Sequence, residues 1–382
     1  MTVEFISAVN TRHADELHPR PGGRAVDAAY LRRYARTLED AGFDYTLVAY
    51  GSASPDSFVT AAAVAAATER IKPIVAVRPN TVFPLVAAQQ LSTLDQLSEG
   101  RAVVHIISGG SDAEQARQGD FLGKDERYDR SEEWIRIVRR AWTETAPFSH
   151  EGRYYRFEDF GPGLPTFSGA PIPISVGGSS EAAYRVGGAL GDIFGLWGEP
   201  LADTREQIAR VAEQARLAGR ADMPRIWVTF RPIVAETDEL AWEKAHRIIG
   251  TIAETYANGA FHKHYNKGGA PQNVGSQRLL QAAERGEVHD RALWTRPAAV
   301  TQASGASTAL VGSYETVAAA ILDYVDLGAE LVSIRGYDNL NDVIDYGRHI
   351  LPLIRQELAH REATGRRGEV VAQPEFAEGV HA

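Results

Sequence analysis

Short apolar runs rich in β-branched residues alternate with longer amphipathic stretches along almost the whole chain. The runs Val3–Val9, Tyr45–Ala49, Ile71–Val77, Ala102–Ile107, Ile172–Val176, Asp192–Leu196, Ile226–Val234 and Leu331–Ile334 read as strands. Between them the spacing predicts helices over Val26–Ala41, Ser57–Thr68, Pro84–Leu97, Tyr128–Thr143, Ser180–Ala189, Thr204–Ala218, Glu236–Ala257 and Tyr314–Leu327, with a last one over Leu340–Arg361. A strand that returns parallel to its neighbour needs a crossover, and a helix of this length supplies it. Eight such alternations predict an α/β fold, a (β/α)8 TIM barrel with lid insertions, in preference to a doubly wound open sheet.

Three stretches break the rhythm. Gln118–Glu126 and Asn258–Thr308 are polar, and in a barrel such insertions usually cover the active-site mouth. The longer one reads as a charge-rich mobile lid at about 258–308, with a helical centre at Gln277–Arg285 and the basic residues His262, Lys263, His264 and Lys267. Phe148–Phe157 is hairpin-like around Glu151-Gly152. The expected organisation is one barrel domain over 1–363 and a loose polar tail over 364–382.

Composition narrows the chemistry. A hydrophobic content of 44% supplies a large core, and a net charge of −10 argues against nucleic acid or an anionic membrane as partner. An anionic ligand therefore needs a local cluster of Arg or Lys. The absence of cysteine excludes disulfides, thiolate metal sites and a thiol nucleophile. Neither a signal-peptide pattern nor a run of membrane-spanning length is present, so a cytoplasmic location is expected.

Barrel chemistry sits where the strands end. Those positions offer His13, Tyr50, Ser54, Arg78, His105, Ser108, Asp112, Trp197, Arg231, Arg335 and Tyr337. No close pair of carboxylates suits a glycosidase, no HExxH suits a zinc hydrolase, and no nucleophile elbow supports a Ser54-based triad. His13, His105 and Asp112 lack metal-ligand spacing, so no metal is predicted. After the fifth run comes Gly177-Gly178-Ser179-Ser180, opening a helix. Glycines let backbone approach an oxyanion, and the first helical turn points free N–H groups at it. An ordinary serine-capped glycine turn has the same spelling. Arginines near a phosphate-type turn, with aromatic planes, suit a phosphorylated planar cofactor and an anionic or polar substrate.

Further segments carry a family resemblance: Arg78-Pro79, Ala87-Ala88-Gln89-Gln90, Thr93 to Arg101 (TLDQLSEGR), Ile107-Ser108-Gly109, Glu126-Arg127-Tyr128, the glycine–serine turn, Trp197-Gly198-Glu199-Pro200, Thr308 to Gly312 and Gly336-Tyr337. In this order the chain resembles the bacterial luciferase-like flavin monooxygenases, and within them the FMNH2-dependent alkanesulfonate monooxygenases. The resemblance implies reduced FMN supplied by a separate NAD(P)H:FMN reductase, a flavin peroxide formed with O2, and a homodimer or homotetramer. It places Gly178, Ser179 and Ser180 at the FMN phosphate, and Ser108, Arg127 and Tyr128 along the ribityl and phosphate path. Ala49, Tyr50 and Ala76 would lie against the isoalloxazine, and Trp197 would wall the pocket.

The chain also departs from the sulfonate enzymes. Ser54 stands at their cysteine, Arg231 at a histidine, His105 at an asparagine and Ala303 at a lid arginine; Tyr337 is kept and Arg335 is new. His105 adds an imidazole able to titrate near neutral pH. Tyr337 and His105 are thus candidate proton donors, and Arg231 and Arg78 candidate anion contacts. Core packing is the plainer reading of Tyr128, Trp197 and His105, as a rim ion pair is of Arg78. The reading is a two-component monooxygenase acting on a small anionic or polar organic molecule, with sulfonates and other organosulfur compounds among the candidates. An F420-dependent oxidoreductase and a non-catalytic flavin-binding subunit are the alternatives.

Overall fold

The structure is a computed structural model and describes residues 2–19, 22–161, 163–257, 271–303 and 308–365. Its centre is a closed parallel barrel of eight strands. They are β1 (Glu4–Ala8), β2 (Tyr45–Val48), β3 (Lys72–Val77), β4 (Val103–Ile106), β5 (Ile174–Gly177), β6 (Ile193–Trp197), β7 (Arg225–Phe230) and β8 (Ala329–Ile334). Each pairs with its neighbours in sequence, and β8 closes on β1 through Glu4 beside Leu331. All eight apolar runs of the sequence supply one barrel strand each, as predicted.

Because side chains alternate across a strand, one face of each points into the barrel. Ile6, Tyr45, Ile74, Val103, Ile193, Trp227 and Leu331 meet there and fill its lower half. The other faces pack beneath the helices α1 (Ala28–Asp40), α2 (Ser57–Ala65), α3 (Pro84–Leu97), α4 (Lys124–Thr143), α5 (Glu181–Leu190) and α6 (Leu201–Leu217), whereas α7 (Asp238–Ala257) packs with Ile233 and Val311 outside the barrel and α8 (Tyr314–Asp326) returns to the barrel wall. Side-chain caps fix several helix starts: Asp27 on α1, Asp56 on α2, Ser180 on α5 and Ser313 on α8.

Three departures from the sequence reading have physical causes. The seventh run is not one strand. β7 stops before Arg231-Pro232, where proline cannot donate to the ladder. Ile233–Ala235 then leaves the barrel and pairs in parallel with Ala309–Ser313, which the sequence reading did not take as a strand. Leu293–Trp294 and Val288–His289 complete this outer four-stranded sheet.

Within the long insertion the predicted helical centre forms, over Val274–Arg285, and a short helix follows over Arg296–Val300. His262, Lys263, His264, Lys267 and the tail beyond 365 lie outside the described residues. Gln118–Glu126 also ends differently. Its last three residues form the first turn of α4, where the Glu126 carboxylate accepts the Gly123 N–H at 3.2 Å. Finally, the C-terminal helix is divided into Asn339–Asp345, a π-helical turn at Tyr346–Ile350, and Leu351–Thr364. Pro352 sits at the join and has no N–H to give the residue one turn back. The Phe148–Phe157 hairpin forms, as Phe148–Glu151 against Arg156–Phe160. No helix among the described residues is long and apolar enough to cross a membrane.

Candidate active site

A cavity of about 460 Å³ opens at the C-terminal ends of the strands. Leu47, His105 and Trp227 lie at its base, above the filled half of the barrel. His105 projects inward from β4; its Nδ1 shares a hydrogen bond with Ser175 Oγ at 2.9 Å, and its ring centre lies 5.3 Å from that of Trp227. A Cβ on Gly177 would come within 3.2 Å of the imidazole and 3.1 Å of the Gly195 carbonyl, so glycine on β5 makes room for the ring. Burial pushes the imidazole down to about 4. The expectation of an imidazole titrating near neutral pH is therefore corrected: His105 is neutral at physiological pH, because its enclosed position disfavours the charged form.

The side of the mouth built by β4, β5 and α4 is suited to an anion. Gly178 has φ +137°, and a Cβ there would stand 2.5 Å from Tyr128 Oη and 2.9 Å from the Ala183 methyl. Only glycine lets the backbone pass so close. Ser180 Oγ accepts the Ala183 N–H at 3.2 Å and caps α5. No backbone carbonyl within the helix can reach the N–H groups of Glu181 and Ala182. Ser179 stays on the cavity wall. The two spellings of the turn thus coexist: one serine caps, and the other faces the cavity. Tyr128 Oη donates to the Gly177 carbonyl at 3.1 Å, and burial pushes its phenol up to about 12. One turn earlier on the same face of α4 stands Lys124, also on the wall.

Ser108 lines this side and shares a hydrogen bond with Ser131 at 2.9 Å. Arg127 does something other than the expected contact. It is buried behind the wall, where Nε donates to the Ser108 carbonyl at 2.9 Å and Nη1 to Leu122 and Asp112 at 2.7 and 2.8 Å. Arg127 shapes the β4 loop rather than lining the cavity.

Across the mouth, after β7 and β8, two arginines face one carboxylate. Arg231 grips both oxygens of Glu16, at 2.9 and 3.1 Å, and donates to the Gly336 carbonyl at 2.8 Å. Burial pushes the Glu16 carboxyl up, but Arg231 and then Arg335 outweigh it and hold it at about 2. Arg335 itself reaches Glu16 only at 3.7 Å. Tyr337 lies beneath Arg231, its ring centre 3.7 Å from the guanidinium carbon, and packs with Ile233, Trp294 and Val311. It is not on the cavity wall, and burial pushes its phenol up to about 12, which places it away from the expected proton-donor position. Arg78 is on the wall but paired: Nη2 lies 2.7 Å from Glu114 and Nη1 donates to Gln118 at 2.7 Å. Gln118 in turn donates to Tyr50 Oη at 2.6 Å.

Tyr50 and Trp197 line the cavity, whereas Ala49, Ser54 and Ala76 do not. Ser54 is exposed and spends its hydroxyl on the Gly51 backbone at 2.9 and 3.0 Å. Ala76 is buried within β3, and Ala49 is exposed. Asn273, Gly275 and Ser276 from the insertion also line the cavity and were not anticipated. Neither was Lys124, hidden by reading its segment as an insertion. The one signal in the sequence was the Gly123 and Glu126 capping pair, which marks α4 as starting at Lys124. Among the described residues the possible metal ligands that gather are His13, Asp15 and His18, within 4.8 Å of one another. There Asp15 Oδ1 already accepts from the Leu17 and His18 N–H groups and from the His18 ring, closing a local turn. His105 and Asp112 take no part.

Residues 3–331 match the family model described as luciferase-like monooxygenase. Among solved structures, a riboflavin lyase, RcaE, determined with modified FMN and riboflavin, superposes with a TM-score of 0.76 at 20% identity, covering 98% of this chain and 95% of that one. The EDTA monooxygenase EmoA from Chelativorans sp. BNC1 gives 0.75 at 16% identity, covering 99% and 96%. DmoA from Hyphomicrobium sulfonivorans gives 0.73 at 18%, covering 98% and 91%. At these identities the likeness is one of fold.

Proposed function

This chain belongs to the luciferase-like monooxygenase family, and we propose that it is a flavin-dependent monooxygenase whose cavity holds reduced FMN and a small anionic or polar substrate. The observation that carries this reading is the anion seat of Gly178, Ser179, Ser180, Tyr128 and Lys124 on one cavity with a planar aromatic wall. The donor set fits a phosphate: helix N-terminal N–H groups, one serine hydroxyl without a hydrogen bond among the described residues and one ammonium, with a glycine where a Cβ would obstruct it. Lys124, Ser179 and the α5 N-terminus would hold the phosphate, and Trp197 and Tyr50 would flank the body of the cofactor. When bound, reduced FMN supplies two electrons to O2, so that one oxygen atom enters the substrate and the other leaves as water. The protein's own contribution is position and exclusion of water, since neutral His105 and buried Tyr337 are poor proton donors where the structure puts them.

Reduced FMN would come from a separate NAD(P)H:FMN reductase, and the chain would work as a homodimer or homotetramer. Alkanesulfonates are a natural first substrate panel. Anaerobic titration with reduced FMN, repeated on Lys124→Met, tests the cofactor: roughly tenfold weaker binding is expected from loss of one charge-assisted contact. Turnover under heavy-isotope O2 then tests the reaction. Label in the product supports the monooxygenase. Unlabelled product formed with F420 in place of FMN would establish the deazaflavin alternative, and flavin binding without transfer would establish an accessory subunit.

A further inference from the structure

The charges at the β7–β8 side of the cavity do not balance. Glu16 gives both oxygens to Arg231, which is 3% accessible. Arg335 stands 3.7 Å from the same carboxylate and makes no side-chain hydrogen bond among the described residues. Two guanidinium groups and one carboxylate leave one positive charge in an enclosed site. The charge of Arg231, and after it burial, pulls the Arg335 guanidinium below its ordinary value. Among the described residues it meets only the already shared Glu16 carboxylate, at 3.7 Å. Its side chain remains 32% accessible, and the space it reaches is the cavity.

The other cations on the wall are committed elsewhere. Arg78 is 4% accessible and held by Glu114 and Gln118. Lys124 belongs to the opposite side, since β4 and β8 lie four strands apart around a ring of eight. The phosphate seat and Arg335 therefore face each other across the mouth. We propose that Arg335 is the specificity-determining contact for an anionic group of the substrate, a carboxylate or sulfonate, at the end of the cavity opposite the flavin phosphate. A guanidinium presents paired N–H groups that match two oxygens of such a group, and the uncompensated charge repels a cationic substrate. The anion completes what the fold leaves open: with it bound, two arginines meet two negative groups. The inference deepens the monooxygenase reading and rests on it for the identity of the ligand as substrate.

The test measures binding of butanesulfonate and butanoate, with n-butanol as the neutral probe, by calorimetry. It is run on the free protein and on protein loaded anaerobically with reduced FMN, for the wild type, Arg335→Met and Arg335→Lys. The wild type should prefer the anions to butanol. Arg335→Met should lose that preference, with anion affinity falling on the order of tenfold to a hundredfold, and Arg335→Lys should keep part of it. Reduced-FMN affinity should change less than about twofold, because the phosphate seat lies across the cavity. Melting temperature should hold or rise in Arg335→Met, since a repulsion is removed, and its rise on adding butanesulfonate should vanish. Equal anion affinity in wild type and Arg335→Met overturns the proposal, as does a wild type that binds butanol as well as the anions. So does a variant that loses reduced FMN instead of the anions. Failure of wild type to bind reduced FMN sinks the monooxygenase reading, and is distinct because the anion titration on free protein stands without it.

Discussion

Glu16 is the one carboxylate among the described residues that faces both Arg231 and Arg335, and its ionisation sets an acid limit on the β1, β7 and β8 ends. Its carboxyl is held at about 2 against an ordinary 4.5. A group depressed in the folded state contributes stability above its unfolded value and loses it as pH falls toward the folded one. A depression of this size corresponds to about 3 kcal/mol. Glu16→Gln is therefore expected to lower unfolding free energy by about 3 kcal/mol at pH 7, with the gap to wild type closing between pH 4.5 and 2. Urea titrations of both proteins across that range check it, and a gap independent of pH refutes it. His105 gives the complementary expectation. With its pKa pushed down to about 4, its ring proton in NMR should titrate there and stay flat from pH 6 to 9. A midpoint near 6.5 would restore the titrating imidazole that the bare sequence suggests. These pairings are the part of the site the sequence hides. Arg231 and Glu16 are 215 positions apart, and no local spacing shows that a rim arginine is already spent. Gly178 was legible because its requirement is local: a backbone conformation, a close approach and a helix start within four residues.

The elements that follow local rules were readable, and those that depend on a distant partner were not. All eight barrel strands show in the sequence because each is largely buried on both faces and reads as a short, mostly apolar run. Ala309–Ser313 is too small and mixed to declare itself, and becomes a strand only because Ile233–Ala235 and Leu293–Trp294 supply its edges. The break at Pro232 was legible and was overridden by the apolar run around it. At the α5 entrance, the element carries its own test. Gly178→Ala forces a Cβ against Tyr128 Oη and Ala183 at φ +137°, so the turn must shift away from α4. The expected result is reduced-FMN binding weakened by roughly tenfold or more and a stability loss of about 1–3 kcal/mol. Fluorescence titration and thermal melts separate the two. A variant that binds reduced FMN as tightly as wild type would remove the turn from the phosphate site.

At the scale of the molecule, closure of the cavity depends on how the insertion is fastened to the barrel. The helix Val274–Arg285 lays Leu279 against Ala298 and Ala303 over Trp197. Ser276 Oγ donates to the Ala303 carbonyl at 2.8 Å. Arg278 reaches Glu199 at 2.9 Å and Glu206 at 3.2 Å, and Arg285 pairs with Asp203. Glu199 is fully buried, and burial raises its carboxyl to about 7 despite Arg278. Below that pH the buried acid is neutral and asks little of the arginine; above it, the charge needs its partner. Arg278→Leu should therefore cost more stability at pH 8.5 than at pH 6, because in the variant Glu199 must either stay protonated or sit buried and unpaired. Hydrogen exchange should show Val274–Arg285 losing protection first. Since water that enters a flavin oxygenase site diverts activated oxygen from the substrate, the same variant should release more hydrogen peroxide per reductant consumed. The excess should grow from pH 6 to pH 8.5, in step with the stability difference. Peroxide yield that is unchanged while exchange rises would mean that the fastening holds the fold together but does not seal the cavity.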